Sequence, residues 1–383
     1  MPQFNRRAFL ASSVALSSLS SAALANEALT LPKGGVAPPQ YGAPTGIAKL
    51  NANENPYGPS PAALRAMVDA SRQGAYYVRD SVTRLRSMIA EKHGLTKDHI
   101  LFSAGSSGAL TYLAVEASKR GKIVAPDLYW DTTTRMGLAQ TGGEMIRLPK
   151  TEDLNIDLKA MGSAVSSEVS MVHITNPNNP TGTVLPPAEL ATFCKTISQN
   201  ATVLVDEAYN ELTDNPDANT MIPLIKEGHD VVVARTFSKI YGLAGMRVGY
   251  LIGTPERIQS VRTYSIGDYA LNQAGLAAAV ASYDDESFLA YSKANIIEGR
   301  DMIKDALAAN DVSALPSHTN FMFVDLGSGN AEKFRKVMSD QGVLIRGIYR
   351  DYTQWSRVSM GLLEDVAKYV DALPVALDQI NYG

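Results

Sequence analysis

Arg235-Thr-Phe-Ser-Lys-Ile-Tyr-Gly-Leu-Ala-Gly-Met-Arg-Val-Gly-Tyr250 holds the densest chemistry in the chain. The apolar run Val231-Val-Val-Ala234 leads into it and reads as a buried strand. Two hydroxyls, Thr236 and Ser238, stand at the strand's end, followed by Lys239 and, in a Gly-rich and helix-poor segment, by Arg247. Hydroxyls with a guanidinium make a cradle for phosphate. A lysine in such a cradle, just past the carboxyl end of a strand, suits imine formation with a phosphorylated aldehyde. Taken alone, Lys239 reads equally well as a solvated lysine on a surface turn.

Working outward, the same arrangement recurs. Thr202-Val-Leu-Val205 is a very apolar strand that delivers Asp206-Glu-Ala-Tyr209. A carboxylate at the end of a buried strand needs a partner. A protonated pyridine nitrogen is one, and an arginine or a helix N-terminus is another. Val169 to Thr175 reads as a strand ending in Asn176-Pro-Asn-Asn-Pro-Thr-Gly182, where two prolines freeze the turn and Asn179 can present a fixed amide. Lys122-Ile-Val-Ala125 leads to Pro126-Asp-Leu-Tyr-Trp130, whose aromatics can stack on a planar ring or pack on a neighbouring helix. Ile100-Leu-Phe102 precedes Ser103-Ala-Gly-Ser-Ser-Gly-Ala-Leu110, a turn that opens a helix with Ser106 and Ser107 beside free N–H groups. No G-x-G-x-x-G follows that strand, so it is not a dinucleotide fingerprint. Strand, helix and turn thus alternate from about residue 100 to 250. Each candidate group lies past a strand's carboxyl end, where open α/β sheets bind ligands.

Towards the N-terminus, Leu50-Asn-Ala-Asn-Glu-Asn-Pro-Tyr-Gly-Pro-Ser-Pro61 is a polar loop bearing Tyr57, readable as a linker or a binding loop, and a helix follows from Ala62. After Tyr250 a long helical run is expected from about Asn272 to Arg300, with a separate helix from Met302 to Ala309. Strands at Phe321–Val324, Val343–Ile345 and Arg357–Met360 complete a smaller α+β unit with Arg346 and Arg357 at strand edges, Arg357 being the better carboxylate fork.

The chain has 383 residues, 45% hydrophobic and 19% charged, with a net charge of −4. It is long enough for a large core, and it lacks the basic, aromatic-laced patch of a nucleic-acid binder. Its single cysteine, Cys194, excludes an intrachain disulfide, and its five histidines lack metal-ligand spacing, so no metal is expected. Residues 1–25 read as a twin-arginine export signal: Arg6-Arg7, an uncharged Ser/Ala/Leu stretch, then Ala23-Leu-Ala25. The implied localisation is the periplasm, or export otherwise by the twin-arginine route, with no membrane contact after cleavage.

In order and spacing, Asn-Pro-Asn-Asn-Pro-Thr-Gly, Asp-Glu-Ala-Tyr, Thr-Phe-Ser-Lys and Ala-Gly-Met-Arg-Val-Gly-Tyr resemble the class I/II pyridoxal-phosphate aminotransferases of fold type I. The opening Leu-Asn-Ala-Asn-Glu-Asn-Pro-Tyr-Gly is most similar to the histidinol-phosphate aminotransferase branch. The resemblance implies an α/β fold, with a three-layer α/β/α large domain on a mostly parallel sheet and a smaller α+β domain. Expected boundaries are an arm and loop over 26–60, a large domain over 61–280 and a small one over 281–383. It implies pyridoxal 5'-phosphate as cofactor and a small-molecule amino donor and 2-oxo acid as substrates. A decarboxylase or carbon–sulfur lyase of the same fold is the alternative.

By resemblance, Lys239 carries the cofactor and moves the proton, Asp206 faces the ring nitrogen, and Tyr209 and Asn179 face the ring oxygen. Ser106, Ser107, Thr236, Ser238 and Arg247 hold the phosphate, and Arg357 and Arg346 bind substrate. Tyr129 is the expected ring-stacking aromatic, with Trp130 as the alternative. Tyr57 matches a tyrosine that reaches the partner's cofactor, which implies a homodimer with shared sites. The sequence departs from the branch pattern at Ser107, where Asp is usual, and at Tyr76-Tyr77-Val78, where Tyr-Pro-Asp is usual.

Overall fold

The computed structural model describes residues 42–380; the proposed export signal lies outside them. The compact unit that begins at Gly46 is built on a seven-stranded sheet. Its strands are β2 (Ile100–Ala104), β3 (Lys122–Pro126), β4 (Met145–Leu148), β5 (Val169–Thr175), β6 (Thr202–Asp206), β7 (Val231–Thr236) and β8 (Val248–Ile252), numbered after the two-residue β1 (Ala48–Lys49). They lie in the order β2-β8-β7-β6-β5-β3-β4. The pairs from β7 through β6, β5 and β3 to β4 are parallel, and β8 runs antiparallel to both β7 and β2. β5 to β8 are buried along their whole length, which is why they read as continuous apolar runs. Apolar clusters lie on both faces of the sheet: Val203, Val205 and Val233 join one, and Leu204, Val232 and Ala234 the other. That alternation is the period-two geometry of a strand.

β8 corrects the reading of its segment as merely Gly-rich. Gly249 interrupts the apolar pattern because a Cβ there would sit 2.1 Å from Ser106 N, where the strand passes the start of helix 105–118. The long helical run also differs from expectation. One helix covers Gln273–Ser282, the chain breaks, and a second runs unbroken over Glu286–Ala309. Asp285 makes the restart by accepting a hydrogen bond from Phe288 N at 3.2 Å.

A three-stranded antiparallel sheet follows, in the order β12 (Trp355–Ser359), β10 (Phe321–Asp325), β9 (Ser313–Ala314). Helices Glu286–Ala309 and Ala331–Asp340 pack with the closing helix Leu363–Gln379. β11 (Val343–Leu344) pairs in parallel with β1, which ties the loop around Asn53 to this part of the chain.

One buried histidine gives the core a pH dependence. His173, on β5, is 1% exposed, and burial lowers its pKa to about 3. Above the unfolded value of about 6.5 the ring is neutral in both states. As pH falls below that, only the unfolded chain binds the proton, so stability falls. Between pH 6.5 and 5 the loss from this group is about 2 kcal/mol. Asparagine at 173 keeps an acceptor towards Thr134 Oγ1, now 3.0 Å from Nδ1, without the titration. Urea midpoints at pH 7.5 and 5.0 should therefore converge in His173→Asn.

Candidate active site

The carboxyl ends of β5, β6 and β7 open into one cavity of about 340 Å³. Eleven of the expected site residues line it: Ser106, Ser107, Asn179, Asp206, Tyr209, Thr236, Ser238, Lys239, Arg247, Arg346 and Arg357. Lys239 leaves the end of β7 and donates from Nζ to Asn53 O at 2.9 Å. Its amine is partly buried. Burial first, then the nearby Arg357, lowers its pKa to about 8, against the opposing pull of Asp206 and Glu54. Asp206 ends β6. Burial pushes its carboxyl up to about 7, although Ala208 N donates to Oδ1 at 3.2 Å and the charge of Lys239 helps. A carboxyl so placed is suited to a cationic partner inside the cavity.

Glu207, next in the chain, points away from the cavity. It meets Arg235 at 2.6 Å and also accepts from Thr220 Oγ1 and Met221 N. This buried, hydrogen-bonded pair anchors the turn that presents Asp206. Removing one partner from such a pair costs about 3–5 kcal/mol.

Tyr209 OH accepts from Asn53 Nδ2 at 2.8 Å and from Asn179 Nδ2 at 3.5 Å. Asn179 Oδ1 in turn accepts from Arg357 Nη1 at 2.7 Å. Thr236 Oγ1 donates to Ser238 Oγ at 2.9 Å. Arg247 adopts the left-handed backbone, φ 56, and its guanidinium donates to Ala244 O and Ala104 O. It packs so closely on Gly105 that a Cβ there would lie 2.2 Å from Nη2. With Ser106, Ser107, Thr236 and Ser238, this forms an anion cradle at a helix start.

One expected cavity residue is elsewhere. Tyr129 turns away from the cavity: its hydroxyl donates to Met145 Sδ at 3.1 Å, and its ring meets His173 edge-on at 4.9 Å. Trp130 lines the cavity instead. Trp130→Ala should weaken cofactor affinity about tenfold by removing an aromatic face, whereas Tyr129→Phe should leave it within twofold; titration of the apo protein, read by visible absorbance, measures both. Tyr57 does not line its own chain's cavity. Its hydroxyl accepts from Leu363 N at 3.1 Å, and its ring abuts Tyr291. The loop residue that does enter is Asn53, with Asn51 and Glu54 beside it. The sequence marked this loop as a binding candidate but gave no sign of which amide would face inward. Thr175 and Tyr349 also line the cavity without having been singled out.

The donor set fits pyridoxal phosphate. Four buried polar atoms of cavity residues have no hydrogen-bond partner within the protein: Asn51 Oδ1, Thr175 Oγ1, Tyr349 OH and Arg357 Nε. A ligand rich in acceptors and carrying a donor for Asn51 would satisfy them. An anion cradle, a carboxyl in need of a cation and an amine of lowered pKa in one cavity match a phosphate, a ring nitrogen and an aldehyde on one small molecule.

Comparison with known proteins agrees. The family Aminotransferase class I and II matches residues 45–373. Histidinol-phosphate aminotransferase 2 of Nitrosospira multiformis is 33% identical, over 87% of this chain and 84% of that protein. The aromatic amino acid aminotransferase of Thermobifida fusca is also 33% identical, over 83% and 87%. The crystal structure of histidinol-phosphate aminotransferase from Sinorhizobium meliloti in complex with pyridoxal-5'-phosphate superposes with a TM-score of 0.80, at 29% identity over 87% of this chain and 91% of that one. Cavity chemistry and kinship lead to one conclusion: the chain belongs to the class I and II aminotransferases, enzymes that move amino groups with the help of pyridoxal phosphate.

Proposed function

We propose that this aminotransferase takes an amine bearing both an anionic group and a planar ring, with histidinol phosphate as the reference donor, and passes the amino group to a 2-oxo acid. The observation that carries this reading is a second set of guanidinia. Arg346 and Arg357 line the cavity apart from Arg247. They are bridged backbone to backbone, and Arg357 lies 5.7 Å over the ring of Tyr349. Arg247 serves the cofactor phosphate, which leaves this pair for an anion on the donor, with Tyr349 and Trp130 offering faces to a ring.

In this reading Ser106, Ser107, Thr236, Ser238 and Arg247 hold the cofactor phosphate, Asp206 the ring nitrogen, Tyr209 and Asn179 the ring oxygen, and Lys239 the aldehyde end. Bound there, pyridoxal phosphate supplies the electron sink that a carbon acid needs. Lys239 would move the proton: its neutral amine would accept from the donor's α-carbon and return the proton two atoms along, beyond the nitrogen. The test is a donor screen on the loaded enzyme, following the visible cofactor band without acceptor. Histidinol phosphate or aromatic amino acids should discharge the band at concentrations at which alanine does not. Equal response to alanine would sink the proposal.

We further propose a homodimer in which Tyr57 reaches the partner's cofactor. Tyr57 turns from its own cavity, and Tyr77 and Tyr269, 80% and 77% exposed, meet edge-on beside exposed Tyr76 and Ile266. Such exposed apolar surface supports an interface there. Hybrids of Lys239→Ala and Tyr57→Ala chains should regain activity above either parent, and sedimentation should give twice the chain mass. We also propose export by the twin-arginine route. Replacing Arg6 and Arg7 with lysine should hold the uncleaved chain in the cytoplasm.

A further inference from the structure

The cavity has two walls from different sheets. Trp130 comes from the loop after β3, whereas Arg346, Tyr349 and Arg357 come from the neighbourhood of β12. One carboxylate outside the cavity links the two segments that carry these walls. Asp127 is the first residue after β3. Its backbone is fixed on its own side, with N donating to Leu148 O at 2.7 Å and O accepting from Arg147 Nη1 at 3.3 Å. Its side chain reaches across: Oδ1 lies 3.3 Å from Arg350 Nη2, and Oδ2 accepts from Tyr352 OH at 3.4 Å.

The receiving segment is a tight turn. Tyr352 N donates to Tyr349 O at 2.9 Å, and Arg350 is held in the left-handed region at φ 50. A non-glycine residue stays there only where its surroundings fix it. The apolar half of the junction sits beneath. Leu128, next to Asp127, packs in one cluster with Phe323, Trp355, Tyr349 and Tyr352. Nearby, Lys150 Nζ is buried with no hydrogen-bond partner, and the charge of Asp127 is the largest influence keeping it protonated against burial.

We propose that Asp127 is a positioning residue: gripped by Arg350 and Tyr352, it clasps the Trp130 wall to the Tyr349 wall and so sets the width of the cavity in which an anionic amino donor is oriented. The clasp touches neither cofactor nor donor. It acts on how tightly the two walls close, and so on donor affinity more than on cofactor loading.

The chain's two tryptophans, Trp130 and Trp355, both flank this junction, which provides a readout independent of turnover. The experiment uses the cofactor-loaded enzyme, acrylamide quenching of tryptophan fluorescence, and aminooxyacetate as a carboxylate-bearing amine probe that does not depend on the natural donor. Asp127→Asn should raise the quenching constant about twofold and the half-saturating aminooxyacetate concentration about tenfold, leaving the visible cofactor band unchanged. Arg350→Gln should do the same, and the double variant should be no worse than the more impaired single one, since residues in one contact do not act additively. Asp127→Glu should restore most of the affinity. Effects that multiply in the double variant, or quenching that does not change in either single one, would overturn the proposal. A change in the cofactor band alone would do so too, because it would place Asp127 in cofactor binding.

Discussion

Lys239→Ala will give a folded protein with no measurable transamination, a fall in kcat of about 10⁴-fold or more. The expectation rests on where the amine sits. It is buried in the cavity with one protein acceptor, Asn53 O, and burial with the Arg357 charge lowers its pKa to about 8. Near neutral pH about a tenth of such a group is uncharged, enough to take a proton where a free lysine would not. Alanine leaves no amine among the residues that line the cavity. Folding should not suffer, because removing a buried amine also removes its desolvation cost. Lys239→Arg is the discriminating control. It keeps a cation in the cavity but cannot become neutral, so it should be as inactive as alanine. Loading of the apo protein with pyridoxal phosphate should speed up as pH rises through about 8, since the neutral fraction grows in that direction. Single-turnover absorbance with an amino donor measures the loss, and turnover of the alanine variant within tenfold of the parent would remove Lys239 from the role.

Most of the groups that converge here were readable in the chain because they follow a physical rule. A parallel strand buried on both faces must be an apolar run, and the first polar residues after it must lie at the sheet's carboxyl edge. Asp206 and Lys239 are both found that way. What escaped the reading lacked such a rule. Trp130 and Tyr129 are neighbours with equal aromatic character. Which one faces inward is set by the backbone after Pro126 and by the partners waiting for Tyr129 at Met145 and His173, far away in sequence. Asn53 lies in an irregular loop without periodicity, and its orientation comes from Tyr209 and Ser359. Gly249 hid a strand because its reason is the backbone of another element. Glu207 and Arg235 stood in plain view beside Asp206 and at the head of the lysine stretch. Strand alternation alone would have turned Glu207 away from Asp206, but the pairing with Arg235 depends on β6 and β7 being neighbours.

Asp206→Asn isolates the second half of the chemistry, because the amide keeps the shape of the carboxyl and can still accept from Ala208 N. What it loses is the charge. The kcat/KM for any donor that discharges the cofactor band should fall about 10³-fold, the scale for removing one buried electrostatic partner from a reacting group. Stability should move the other way. In the apo protein, burial lifts the Asp206 carboxyl to about 7 from an ordinary value near 3.8. Between those values the native state holds a proton that the unfolded chain has released, so the group's penalty is small in acid and grows as pH rises towards 7. The asparagine variant carries no such penalty. Its apo form should therefore gain on the parent at pH 8 and match it near pH 4, by urea midpoint. Added pyridoxal phosphate should then stabilise the parent more than the variant, because the tighter-bound ligand gives the larger shift at equal concentration. A variant that keeps kcat/KM within threefold of the parent, or that gains as much from the cofactor as the parent does, would mean that no positive charge meets this carboxylate.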